Sequence, residues 1–179
     1  RTLDEVRRSV TRGTWGRDGT ILLLRTPGYP LKRVPSVGGA PVDLTTRTDR
    51  PRSQPQFLPD GRRYLCYVTG GTPEVNGVYV ASLEDGALSK RLLPDRTGVQ
   101  YASAGLSGPG GHLLFVRDAT LMAQPFNADT LTLPGQLFAV AESVGRFSVS
   151  QTGAVAHMAG SPISRQELLW VDRNGKAVW

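Results

Sequence analysis

A turn glycine followed by an apolar strand recurs four times along the chain, at positions 19, 61, 111 and 153. The segments read Trp15-Gly-Arg-Asp-Gly19-Thr-Ile-Leu-Leu-Leu, Phe57-Leu-Pro-Asp-Gly61-Arg-Arg-Tyr-Leu-Cys-Tyr-Val, Ser107-Gly-Pro-Gly-Gly111-His-Leu-Leu-Phe-Val and Val149-Ser-Gln-Thr-Gly153-Ala-Val-Ala-His-Met. Successive glycines lie 42, 50 and 42 residues apart. A four-stranded propeller blade takes roughly 40–45 residues. The spacing therefore limits the chain to repeated units of about that size.

A second hairpin follows each of these segments. Its first strands are Leu31–Val34, Gly77–Ser82, Leu121–Pro125 and Leu168–Asp172. Turns are expected at Gly38-Gly39, Asp85-Gly86, Asn127-Ala-Asp129 and Asn174-Gly175, with returning strands at Pro41–Leu44, Leu88–Leu93, Gln136–Val140 and Lys176–Trp179. Short strands bounded by Gly and Pro turns indicate a sandwich, a barrel or a propeller. Two hairpins per unit at this period select the propeller. Helical periodicity is nearly absent: only Leu3–Val10 mimics one turn, and it reads as a strand end plus an exit loop.

The expected fold is thus all-β, a partial β-propeller. It comprises about four four-stranded antiparallel blades of a larger ring of six to eight. The units run 13–46, 55–94, 99–142 and 146–179, the last truncated, and 1–12 forms the end of a preceding blade and its loop. An open arc leaves apolar faces uncovered, which soluble monomers avoid. Missing blades of a parent chain are accordingly expected as partners. The chain starts at Arg1 rather than Met, has no signal peptide, and is expected to be an internal piece, a processed product or a trimmed one.

Hairpin geometry explains the eye-catching residues. A tight turn between antiparallel strands needs positive φ, which glycine tolerates, and an Asp side chain can hydrogen-bond to the local backbone. Asp18, Gly19, Pro59, Asp60, Gly61, Asp85, Gly86, Gly110, Gly111, Gly153, Asn174 and Gly175 are all assigned to turns on this ground. No site is assigned to catalysis, to a cofactor or to a metal.

The motif-like stretches do not alter that reading. Gly105-Leu-Ser107-Gly-Pro109 approaches a nucleophile elbow, but Pro109 replaces its last glycine. Gly108-Pro-Gly-Gly111 precedes a strand, whereas a phosphate loop needs a helix behind it. His112 and His157 lack metal-ligand spacing. Asp43, Glu84, Asp85 and Asp118 read as solvated carboxylates at turns and strand ends. Cys66, inside the run Tyr64–Val68, is expected to be buried and inert, and one cysteine excludes an internal disulfide. Trp15, Phe57 and Trp170 read as packing between blades rather than as an interaction surface.

The net charge of +6 raises the question of nucleic acid. Acidic neighbours accompany many arginines, as Asp18 does Arg17, and no platform of aromatic and basic residues is present. No nucleic-acid partner is expected. No apolar run approaches the roughly 20 residues that span a bilayer, so no membrane contact is expected either.

Phe57-Leu-Pro-Asp-Gly61 and the strand after it resemble the Pro-Asp-Gly repeat of TolB-type, WD-repeat-like propellers. The stretches Gly13–Leu22, Pro55–Arg62, Gly77–Leu83, Leu113–Asn127 and Leu168–Lys176 resemble the propeller region that follows the kinase domain in bacterial transmembrane serine/threonine kinases. This resemblance implies an extracytoplasmic interaction or sensor module, binding a protein or small ligand at its loops. Two relatives of the motif leave alternatives open: the propeller of a prolyl-oligopeptidase-like peptidase, and a periplasmic TolB-like envelope protein. No kinase signature occurs in the chain itself.

Overall fold

The longest apolar runs become strands that bury side chains on both of their faces. A computed structural model describes residues 12–24, 29–95, 97–104, 110–150 and 153–160. Fourteen strands in four antiparallel sheets make up the described fold, with no helix among the described residues.

The first sheet holds β1 (Arg12–Trp15), β2 (Thr20–Leu24), β3 (Lys32–Pro35) and β4 (Val42–Asp43). The second holds β5 (Arg52–Phe57), β6 (Arg63–Val68), β7 (Gly77–Ser82) and β8 (Leu88–Leu93). The third holds β9 (Val99–Ser103), β10 (Gly110–Arg117), β11 (Thr120–Asn127) and β12 (Phe138–Ala141). β13 (Val144–Val149) pairs with β14 (Val155–Ala159) in the fourth. Strands follow chain order in every sheet, so each connection is a simple hairpin.

Sheets covered on both faces read in sequence as unbroken apolar runs. β6 shows the consequence. Leu65 points into a cluster with Val99, Leu113 and Phe115 of the third sheet. Its neighbours Tyr64, Cys66 and Val68 turn the other way, against Leu22 and Leu24 of the first. β10 repeats the division: Leu113 and Phe115 face the second sheet, while Leu114 joins Val144 of the fourth. Period-two alternation thereby stacks the sheets face to face in chain order. Each fully buried Leu or Phe contributes roughly 1.5–3 kcal/mol to that stacking.

The leading strands of the sheets form a second series. β1 lies against β5, β5 against β9, and β9 against β13. The last strands, β4, β8 and β12, are held by their own sheets at the far side.

Two glycines expected in a turn lie in a strand. Gly110 and Gly111 do not form the third turn; they open β10, with Gly111 opposite Ser103 and Phe126. The hairpin closes through the Ala104 N–H, which donates to the Gly110 carbonyl at 3.1 Å. Gly111 is required for a different reason. A Cβ there would meet the Ala102 carbonyl and the Tyr101 ring at 2.5 Å. The glycine thus makes room for an aromatic ring laid across the strand.

The expected elements at 1–11, the elbow-like stretch 105–109, and the last hairpin with Trp170, Asn174 and Gly175 lie outside the described residues.

Candidate functional site

The predicted turn residues at 18–19, 59–61, 85–86 and 153 are at the ends of hairpins, and the Asp side chains among them satisfy local backbone. Gly19, Gly61 and Gly153 have φ of 82°, 65° and 83°. Each donates its N–H to the carbonyl three residues earlier, on Gly16, Leu58 and Ser150. Asp18 accepts from the Thr20 N–H and hydroxyl, both at 2.9 Å. These bonds, the backbone one first, hold its carboxyl below the usual range. Asp60 follows Pro59 and accepts from the N–H groups of Arg62 and Arg63, each at 3.0 Å, and from the Arg63 guanidinium. Partial burial alone would raise its pKa, but these bonds outweigh it and hold the carboxyl low. Asp85 accepts from the Ala87 N–H at 2.9 Å, which lowers its pKa. Gly86 follows at φ 72°, pressed against the Leu44 carbonyl of the first sheet.

The remaining candidates for chemistry are dispersed. Asp43 pairs with Lys32 at 2.6 Å, and Asp118 occupies a tight turn at φ 48°. The His112 ring meets Phe138 edge-on at 5.7 Å, whereas His157 lies on exposed β14. No group of three or more metal-ligating side chains occurs among the described residues. No described helix is long and apolar enough to cross a membrane. Cys66 is buried, and burial pushes its thiol up to about 12. Tyr64 beside it is also raised to about 12 by burial. Its hydroxyl accepts from Arg52 at 2.8 Å, a buried cation whose Nε lacks a partner.

The turns were legible in the sequence; what the leading strands carry was not. Neighbouring leading strands belong to different sheets and share no backbone ladder. Glutamine side chains bridge them instead. Gln56 of β5 accepts from the Tyr101 N–H at 2.5 Å and donates to the Tyr101 carbonyl at 3.4 Å. Gln100 of β9 accepts from the Val149 N–H at 2.9 Å and donates to the Phe147 carbonyl at 3.0 Å. A carboxamide carries both a donor and an acceptor, so one side chain serves both polar groups of the next strand. The signal available in the sequence was a Gln directly beside an aromatic or β-branched residue, and it is weak.

Two clefts open along these strands. One, of about 340 Å³, lies at the turn end, between Trp15 and Arg17 on one side and Phe57, Tyr101 and Ser150 on the other. The second, of about 240 Å³, is lined by Arg12, Gln54 and Gln100. Thr14 and Gln56 border both, so the two are parts of one groove. Trp15 is a correction to the sequence reading. It is 61% exposed at the mouth of the groove rather than packed between sheets. Phe57 does pack inward, its ring against Gly16, where a Cβ would come within 3.2 Å.

No protein-family model matches the chain, and no curated protein matches it.

Proposed function

We propose that the chain is an arc of a β-propeller, with its leading strands lining the central channel, and that it acts there as a non-catalytic binding or sensor module. The observation that carries this reading is the succession β1, β5, β9, β13 at one side of the stacked sheets, with a continuous groove along it. Pockets that hold ligands combine apolar walls with a few converging polar groups. Here the walls are Trp15 and Phe57, and the polar groups are amides, hydroxyls and guanidinium. Such groups recognise and orient a ligand, and among the described residues no His, Asp or Glu lines the groove to act as a base. The occupant is a small ligand or an extended segment of another protein. The resemblance of the Pro-Asp-Gly repeat to kinase-attached propellers favours a receptor's sensor segment as the setting.

The test is amide NMR of the 179-residue chain titrated with a broad library of small fragments. Shifts should concentrate at Gly13, Gly16 and Gly98 and at the side-chain amides of Gln54, Gln56 and Gln100. Shifts confined to β4, β8 or β12 would rule the groove out as the binding site. The propeller geometry has its own check in small-angle scattering, where a curved arc and a straight stack of sheets give different profiles.

A further inference from the structure

We infer that the groove takes a small organic anion, a carboxylate or a phosphate ester, gripped at the end where Arg12 and Gln54 meet. This rests on the groove being the binding site, as proposed above.

The charge of the lining points there first. Arg12 and Arg17 border the two parts of the groove, and among the described residues no Asp or Glu borders either part. Three cations elsewhere pair with carboxylates, Lys32 with Asp43, Arg63 with Asp60 and Arg117 with Asp95, while Arg52, Lys90 and Arg91 bond to hydroxyl or carbonyl oxygens. Arg12 and Arg17 have no such partner among the described residues. A guanidinium presents a planar fork of N–H donors that matches the two oxygens of a carboxylate or phosphate. The net charge of +6 adds a long-range field that draws anions in.

Gln54 is the second, independent observation. The ladder between β5 and β6 slips between Ser53 and Gln56, and Gln54 sits in that bulge at φ 54°. A residue with a Cβ is strained there. Bulges and strained residues of this kind re-aim side chains at functional sites. The re-aimed amide lies directly over Gly98, where any Cβ would collide with it. Gln56 and Gln100 both spend their amides on the next leading strand, but the Gln54 amide has no hydrogen-bond partner among the described residues. It therefore borders the groove beside Arg12, with neither donor nor acceptor used by another described residue. A volume of about 240 Å³ suits a compact anion, with any larger body extending past Thr14 toward the Trp15 ring.

The test titrates the chain with succinate, inorganic phosphate and glucose 6-phosphate, using glucose and putrescine as neutral and cationic counterparts. The anions should shift Gly13, Gly98 and the Gln54 side-chain amide, and putrescine should not. Succinate against the two phosphates separates a carboxylate from a phosphate preference. Arg12→Gln should weaken the anion about tenfold or more, since a charge-assisted bond is lost. Gln54→Gly should weaken it too, yet raise the melting temperature by relieving the positive φ, a pairing that a purely structural role would not produce. If glucose or putrescine moves these residues while the anions do not, the anion inference falls and the groove stands. If anions bind equally well to the Arg12→Gln chain, the inference falls also. If the fragment library and all five probes leave the groove unmoved, both readings fall together.

Discussion

The second and third sheets have the same strand order but close their hairpins by opposite means. In the second, the leading hairpin turns at Pro59-Asp60-Gly61, where Asp60 satisfies two backbone N–H groups. Its central hairpin is loose, spanning 69–76, and Asn76 both donates to and accepts from Gly71. In the third, the leading hairpin has no Asp-Gly turn, and a Tyr101 ring over Gly111 takes its place as the constraint. Its central hairpin is tight: Asp118 and Ala119 alone connect Arg117 to Thr120, at φ 48° and 60°. The turn motif is therefore one route to the architecture and not a condition for it. What both sheets share is a core facing two ways and a glutamine reaching forward from the leading strand.

Substitution at the two glycines should separate the routes most sharply. Gly111→Val forces a side chain into the Tyr101 ring and the Ala102 carbonyl and should cost about 3 kcal/mol, at the upper end of overpacking. Gly61→Ala meets nothing within 4 Å and bears only its φ of 65°. Its cost should be roughly 1 kcal/mol, the usual penalty for an L-residue in the left-handed region. Urea denaturation measures both, and equal costs would erase the distinction.

The shared feature comes next in size. Gln56→Ala and Gln100→Ala each strand a backbone donor and acceptor at a sheet boundary, and each should cost about 2 kcal/mol. A loss at one site only would mean that the two bridges are not equivalent. Replacing Asp60 should matter less, about 1 kcal/mol, because its partners are partly exposed. Its folded pKa lies below the unfolded 3.8, so its contribution is present above pH 3.8 and fades as acid protonates the folded carboxylate. The Asp60→Ala chain should lose less stability on acidification than the parent.

At the alkaline end the second sheet is again the sensitive one. Cys66 and Tyr64 have folded pKa values of about 12 against 9.0 and 10.0. The unfolded chain deprotonates first, so stability should decline from pH 9 upward. Cys66→Ala should flatten the early part of that decline in denaturation curves taken across pH. The smallest effect has the opposite sign. Ala119→Gly relieves a φ of 60° and should stabilise the third sheet by about 0.5 kcal/mol, read as a rise in midpoint.

The sequence made the last three strands of the second sheet legible almost to the residue, but not β5, which begins at Arg52 ahead of the unit expected from 55. Gly77–Ser82 and Leu88–Leu93 coincide with β7 and β8, because turn chemistry and apolar runs agree there. The third unit misled for a physical reason. A glycine that permits a positive φ and one that admits a neighbouring ring look the same in a sequence, and Gly111 is of the second kind. Trp15 misled in a similar way, since an aromatic beside a turn gives no sign of which side of the sheet it occupies. The groove was illegible because it joins residues from four separate units. Gln56 and Tyr101 lie 45 positions apart, and no local pattern announces their pairing.

The glutamine bridges latch the leading strands at two seams, second sheet to third and third to fourth, and such a latch can be rekeyed by a single atom pair. Glutamate has the shape of glutamine, but ionised it can only accept. Gln56→Glu would still receive the Tyr101 N–H while turning an oxygen toward the Tyr101 carbonyl, so the seam would be held at one point and pushed apart at the other. Protonating that carboxyl restores the donor. One isosteric change would thus convert a constitutive joint into one that fastens in acid and eases in base, with the angle between two neighbouring sheets as its output.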